Sequence, residues 1–311
     1  MKRKLPILIM VFNRPDLTKK TFERIRKYKP EKLYIGCDGP RSGNKEDKIL
    51  NVQVKKIFED IDWKCKVFKS YSKKNIGIVN RTVKSFKWFF SHEEKGIIFE
   101  DDCLAHPNFF KFCEIMLEKY KNNKKVLMIN GNNFQDGKLR GKSSYYFSKY
   151  FSTYGWAGWR RTMKNYDVNM NKWPSWKNSD HWRKVKSKMY LKEAEYWTDI
   201  FDKTYKKIIK TWDYQFMFLL WKNNQVVVTP NSNLTSHIGL GVNATNSRAK
   251  KPGVPLKEIN FPLKHPKKIE VNEKADRYSF IFMPYQGIFL YFPFNIISLL
   301  YINFKKLIGT Y

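Results

Sequence analysis

Apolar residues recur along the first half of this chain in two alternating periods. Residues 5–12 are almost continuously apolar, the pattern of a strand covered on both faces. Leu17, Phe22, Ile25 and Tyr28 then share one helical face, with Pro15 near the helix start. Residues 32–37 read as a second strand, closed by the turn signal Asp38-Gly39-Pro40. A polar helix is predicted near 45–60 and a strand near 64–69. A strong helix follows over 78–90, where Ile78, Val79, Val83, Phe86 and Phe90 keep helical spacing. Strand 96–99, helix 107–121 and strand 126–129 continue the alternation. Such a β–α series predicts an α/β fold whose mostly parallel sheet is flanked by helices. Ligands of these sheets bind beyond the carboxyl ends of the strands.

The second half is less regular. Residues 145–182 are rich in Trp, Tyr and Gly, 182–210 read as a basic helix, and 226–228 as a short strand. Residues 230–255 form a loop region rich in Asn, Gly and Pro. From Tyr278 to Phe304 there is no charged residue, and Lys305-Lys306 follow. Pro284, Gln286, Gly287, Pro293 and Asn295 interrupt that run, so an interfacial membrane segment suits it better than a spanning helix. A helix pair packed on the domain is the plainer alternative.

Composition narrows the partners. The chain has 311 residues, with 60 Lys+Arg against 28 Asp+Glu and a formal charge of +32. An aromatic content of 17% excludes a disordered polycation, which lacks the apolar side chains to offset ordering entropy. The charge points to a polyanion, whether nucleic acid, an anionic membrane or a phosphorylated ligand, or to a compositional bias of the source. The cations are spread along the chain without a nucleic-acid motif, so no nucleic-acid partner is expected. Cys37, Cys65, Cys103 and Cys113 show no CxxC spacing, which argues against zinc. The apolar run after Met1-Lys2-Arg3-Lys4 is too short for a secretory signal, and a cytoplasmic setting is expected.

The sharpest chemical feature is Glu100-Asp101-Asp102, directly after the strand Gly96-Ile97-Ile98-Phe99. Adjacent carboxylates raise one another's pKa unless a cation answers them, and a divalent metal is the natural partner. A plain N-cap by Asp102 for the helix near 107 is the alternative. Asn75 and Gly77 precede the helix at 78, whose free amides suit phosphate. Asn13-Arg14-Pro15 and Asp38-Gly39-Pro40-Arg41 also follow strands, on the side where ligands bind.

In order, Phe12-Asn13-Arg14-Pro15, Asp38-Gly39-Pro40-Arg41, Asn75-Ile76-Gly77 and Gly96 to Cys103 resemble GT-A glycosyltransferases. The nearest likeness is to bacterial nucleotide-diphospho-sugar transferases akin to N-acetylglucosaminyltransferase I. Tyr154-Gly155-Trp156-Ala157-Gly158-Trp159, Trp212-Asp213-Tyr214-Gln215 and Ile238-Gly239-Leu240-Gly241 with Ala244-Thr245 extend the match over about residues 5–247. The resemblance implies a Rossmann-like GT-A domain over 1–255, with a nucleotide-sugar-binding half (1–130) and an irregular acceptor half (131–255). Residues 256–311 form a C-terminal extension with an apolar, membrane-associating tail.

The same resemblance makes Asp102 the ligand of Mn2+ or Mg2+ and Asp101 the ribose contact, with Glu100 nearby. It sets Asn13, Arg14, Arg41, Asn75 and Gly77 along the nucleotide and Asp38 towards the base. Tyr154, Gly155, Trp156, Trp159 and Trp212 become sugar or acceptor contacts, with core packing as the alternative for the tryptophans. Asp213 matches the catalytic base, although the family often has two consecutive acids where this chain has Asp213-Tyr214. Related sequences often place His where Asn246 stands, and His237 is read as an ordinary loop histidine. The implied activity is inverting, metal-dependent transfer from a UDP-sugar to a glycan or lipid-linked hydroxyl, on the inner face of an anionic membrane. A retaining transferase, a sugar nucleotidyltransferase, or a basic nucleic-acid-binding or membrane-binding protein without enzyme activity are the rivals.

Overall fold

The computed structural model describes residues 4–189, 192–239 and 253–282. Strand and helix alternate through β1 (Ile7–Val11), α1 (Pro15–Tyr28), β2 (Lys32–Cys37), α2 (Lys45–Lys56), β3 (Lys66–Tyr71), α3 (Ile78–His92) and β4 (Lys95–Glu100). Next come β5 (Cys103–Ala105), α4 (Pro107–Lys119), β6 (Val126–Asn130), β7 (Tyr145–Ser148) and β8 (Trp156–Trp159). Helix α5 (Arg160–Met163) follows, and α6 (Trp173–Lys177), α7 (Asp180–Lys186), α8 (Glu193–Tyr205) and α9 (Tyr214–Lys222) pack on one another. β9 (Val226–Pro230), β10 (Thr235–His237) and α10 (Glu273–Phe282) complete the order.

Eight strands make one sheet in the order β3-β2-β1-β4-β8-β6-β9-β7. β1 lies parallel to β2 and β4, β2 to β3, and β6 to β9. β8 runs antiparallel between β4 and β6, and β7 is an antiparallel edge strand. The architecture is therefore α/β with a large, mostly parallel sheet flanked by helices. β5 and β10 leave this sheet to form a two-stranded antiparallel ribbon.

The period of two along β1 divides the core. Ile7, Ile9 and Val11 face one cluster with Phe22 and Ile25 of α1, while Leu8 and Met10 face the other with Phe86, Phe89 and Phe216. Each such side chain, fully buried, contributes about 1.5–3 kcal/mol. Helices on both faces thus explain why β1 carries no polar residue.

Two stretches depart from the sequence reading. Residues 145–182 are not wholly irregular, because Tyr145–Ser148 and Trp156–Trp159 are sheet strands too short for a visible alternation. The helix expected over 182–210 is two helices, α7 and α8, and α7 starts behind the cap Ser179, whose Oγ accepts from Trp182 N–H.

Residues 256–282 pack on the domain. Ile259 and Leu263 join the first core and Phe280 the second. Gln135 Nε2 donates to Ala275 O at 3.0 Å and to Ser279 Oγ at 2.7 Å. Asp276 accepts from Ser148 Oγ at 2.5 Å and from Lys149 N–H at 2.9 Å. Among the described residues no helix is long and apolar enough to cross a membrane. The rest of the apolar tail, 283–304, lies outside the described residues.

Candidate functional site

Three neighbouring parallel strands end at one place. β1 leads into Asn13 and Arg14, β2 into Asp38, and β4 into Asp101-Asp102 by way of Glu100, its last residue. Thr21 of α1 donates its hydroxyl to Asp101 O at 2.9 Å, which holds the acidic turn against the first helix. After the turn, β5 pairs with β10 so that Cys103 faces His237, and Ile238 N–H donates to Asp102 O at 2.9 Å. That register brings His237 Nε2 to 3.0 Å from Asp102 Oδ2. Arg14 Nη1 lies 2.9 Å from the same oxygen, and its Nη2 pairs with Asp101.

Asp101 and Asp102 are only 3% and 4% exposed. Two buried carboxylates side by side are tolerable only with cations between them. Burial pushes Asp102 upward, but the His237 hydrogen bond and the Arg14 charge outweigh it and hold this carboxyl below its usual range. For Asp101 burial wins over Arg14, and its pKa rises to about 6. Burial, then Asp102 and Asp101, push Glu100 well above its ordinary value, and Asp213 adds to the repulsion. Glu100 and Asp213 therefore share one electrostatic neighbourhood, although 113 residues separate them in sequence.

Asp213 is the N-cap of α9. Its Oδ1 accepts from Tyr214 N–H at 3.0 Å and from the Thr211 hydroxyl. Its Oδ2 makes no hydrogen bond to a described residue. Burial raises this pKa, against the Thr211 bond that lowers it. A carboxylate fixed through one oxygen, with the other uncommitted and more basic than usual, suits proton abstraction.

A second network sits beside the first. Asn13 Nδ2 donates to Asp47 Oδ1 at 2.8 Å, and Arg41 grips Asp47 through Nε and Nη2 at 2.6 and 2.8 Å. The Arg41 hydrogen bond lowers Asp47 to about 2 despite opposing burial. Asn13 and Arg41 therefore bind α2. Asp38 accepts from the amides of Gly39, Ile76 and Gly77 at 2.9 to 3.2 Å, and Asn75 Nδ2 donates to Gly39 O at 2.9 Å. The Asp38 carboxylate occupies the Ile76 and Gly77 amides, which lie just before the first-turn amides of α3.

Further corrections concern the aromatic stretch. Trp156, Trp159 and Trp212 are 1%, 2% and 4% exposed, so they pack the core and offer no open face to a sugar. Trp156 and Trp212 both meet Phe86 edge-on, at 5.5 and 5.1 Å between centroids. Gly155 has φ +78°, and a side chain there would press on Thr235 and Phe99, so its role is to turn the backbone. Tyr154 does reach the site, with its ring 4.6 Å from that of His237. The N-cap role weighed for Asp102 belongs to His106, whose ring accepts from Asn108 N–H at 3.2 Å.

Sequence reasoning missed His237, Asp47 and the constraint at Gly239. A Cβ at Gly239 would stand 2.2 Å from Asp102 Oδ2, so only glycine leaves that carboxylate in place. Only strand pairing reveals His237. Asn246 lies outside the described residues.

Asp102 and His237 are side chains of the kinds that ligate a divalent cation; here Nε2 and Oδ2 pair with each other at 3.0 Å, and Arg14 Nη1 shares that oxygen. Among the described residues no three His, Cys, Asp or Glu converge as a cage. A site of one carboxylate and one imidazole agrees with a metal whose remaining ligands are substrate phosphates and water.

No protein-family model matches this chain, and no curated protein matches it. Among solved structures it is similar to a mannosyltransferase from Pyrobaculum calidifontis in complex with GDP-Man and Mn2+, at TM-score 0.34 and 11% identity. That match covers 53% of this chain and 47% of the other, so the chain spans about half the length of that enzyme. It is also similar to mouse xyloside xylosyltransferase 1 in its apo form, at TM-score 0.36 and 10% identity over 71% and 82% of the two chains. A third likeness is 4-diphosphocytidyl-2C-methyl-D-erythritol synthase from Anaerococcus prevotii, at TM-score 0.33 and 10% identity over 71% and 98%. At such distances the site has to be read from its own residues.

Proposed function

We propose that this chain is a metal-dependent, inverting GT-A glycosyltransferase that uses a nucleotide-diphospho-sugar, with UDP as the nucleotide. One observation carries the reading. A buried Asp101-Asp102 pair at the carboxyl end of β4 is bracketed by Arg14 from the first strand and His237 from the distant ribbon.

Asp102 and His237 would hold Mn2+ or Mg2+, which neutralises charge developing on the leaving diphosphate. Arg14 adds a fixed positive charge beside both aspartates, so an anionic donor meets a compensated rather than a repelling surface. Asp101, gripped by Arg14, would accept from a ribose hydroxyl in this reading. Asp213 Oδ2 takes the acceptor's hydroxyl proton while that oxygen bonds to the anomeric carbon and the carbon–phosphate-oxygen bond breaks. One base on the face opposite the leaving group produces inversion. Tyr154 lies over His237 and offers a flat apolar face with a polar edge to a sugar ring.

The acceptor in this reading is a surface-glycan or lipid-linked hydroxyl. The excess of cations and the uncharged run 278–304 support a place at the cytoplasmic face of an anionic membrane.

Thermal melts with a panel of nucleotide sugars, with and without Mn2+, test the reading, since ligand binding raises stability by mass action. At a ligand concentration near 100 Kd the stabilisation is about 2.7 kcal/mol. A Mn2+-dependent upward shift is expected, and Asp102→Ala should abolish it while the unliganded melt stays cooperative. An Asp102→Ala protein with the wild-type response would refute the metal assignment.

A further inference from the structure

The turn after β6 holds Asn132 between two pinned neighbours. Gly131 N–H donates to Gly155 O at 2.9 Å, Leu234 N–H donates to Gly131 O at 3.0 Å, and Asn133 N–H donates to Asn233 Oδ1 at 2.8 Å. The amide between them is 3% exposed, yet among the described residues neither its Oδ1 nor its Nδ2 has a hydrogen-bond partner. A buried primary amide has two donors and an oxygen with two lone pairs to satisfy, and native folds rarely leave all of them unused.

A second orphan lies alongside. Thr235 of β10 is fully buried and its Oγ1 also lacks a partner among the described residues. It packs directly on the same turn: a Cβ at Gly131 would stand 2.5 Å from Thr235 Cγ2 and 2.6 Å from Oγ1. Two residues further along this strand is His237, whose Nε2 meets Asp102. These two polar side chains lie between the β6 turn and the end of β10 that meets the acidic pair, beside main-chain groups of Gly131, Asn133 and Leu234 that are already bonded.

The chemistry of these groups selects the ligand. An amide offers a donor and an acceptor side by side, and a threonine hydroxyl offers both from one atom. Diphosphate asks for donors and cations only, and a metal for acceptors only. A ring bearing neighbouring hydroxyls asks for both together. The geometry points to Asn132 and Thr235 as a subsite that takes hydroxyl groups of the sugar carried by the nucleotide donor. This assignment rests on the nucleotide-sugar reading above and adds which side chains distinguish the sugar from the nucleotide.

The test compares wild type with Asn132→Leu and with the near-isosteric Thr235→Val, which guards against a misfolded leucine variant. Melting points are measured alone, with UDP or GDP plus Mn2+, and with UDP-glucose, UDP-galactose, UDP-N-acetylglucosamine or GDP-mannose plus Mn2+. Without ligand the variants should melt at or above wild type, because an orphan polar group has been removed. The response to UDP or GDP should match wild type. The extra affinity of the preferred nucleotide sugar over its diphosphate should fall about tenfold or more. Variants that melt lower, with that extra affinity intact, would show that the two side chains serve the fold through bound water, and the subsite would be rejected. A wild type that binds nucleotide sugars no better than diphosphates would reject the subsite alone. A wild type that answers to no nucleotide would reject the donor reading, and the subsite with it.

Discussion

Asp276 fastens α10 to the end of β7, and its burial gives a prediction with a definite sign. The residue is 1% exposed, and both oxygens accept hydrogen bonds, from Ser148 Oγ and Lys149 N–H. Burial raises its pKa to about 7; those two bonds and the Lys149 charge oppose the rise, and nearby Glu193 assists it. In the unfolded chain an aspartate titrates near 3.9. Between those values the folded protein holds a proton that the unfolded chain has released, so stability falls as pH rises from about 4 to about 7. At about 1.4 kcal/mol per pH unit, the full loss is about 4 kcal/mol.

Asp276→Asn keeps an acceptor for Lys149 N–H and a donor for Ser148 Oγ, while removing the titration. Other acids also contribute across this range, so the informative quantity is the variant's stability minus that of wild type, from urea denaturation at a series of pH values. The difference should be small at pH 4 and grow to about 4 kcal/mol in favour of Asn by pH 8. A flat difference, or one favouring wild type at pH 8, would refute the assignment of a buried, proton-retaining carboxyl.

Three further outcomes follow from the site. Asp213→Asn should retain donor binding and the α9 cap, since Asn caps as well as Asp, while single-turnover transfer falls by about two to four orders of magnitude; unchanged turnover removes Asp213 as base. Gly239→Ala drives a methyl group into Asp102, so Mn2+-dependent donor binding should be lost with the far-ultraviolet circular dichroism unchanged. Arg14→Met leaves Asp101 and Asp102 buried without a shared cation, which should cost about 3–5 kcal/mol in denaturant titrations at pH 7; a loss under 1 kcal/mol would contradict the ion-pair geometry.

Much of the first half was legible in the sequence because its signals are local. The apolar stretch at β1, the helical face Leu17–Tyr28 and the acidic triplet after 96–99 each fit within one window, and the carboxyl-end rule then pointed to the place where β1, β2 and β4 end. What escaped depends on distance or on competing uses of one residue type. His237 looks like a loop histidine until β10 is paired with β5, and no spacing rule links residues more than 130 positions apart. Asp47 sits in a polar helix, where a carboxylate is unremarkable, yet it organises Asn13 and Arg41. Trp156, Trp159 and Trp212 fit core and sugar platform equally by composition, and burial decides for core. At Asp38 the sequence showed a carboxylate at a strand end but not that neighbouring amides would claim it.

The ribbon of β5 and β10 also fixes the order in which this protein becomes itself. Its two strands are closed by a loop of about 130 residues, and loop-closure entropy makes such contacts late events in folding. During synthesis the acidic turn, Arg14 and most of the sheet emerge well before Thr235–His237. A nascent chain stopped at residue 230 contains Arg14 and both aspartates but lacks His237. Pairing of His237 with Asp102 therefore waits until synthesis has passed residue 237, and a chain that has not yet closed its ribbon carries the acidic pair without its imidazole.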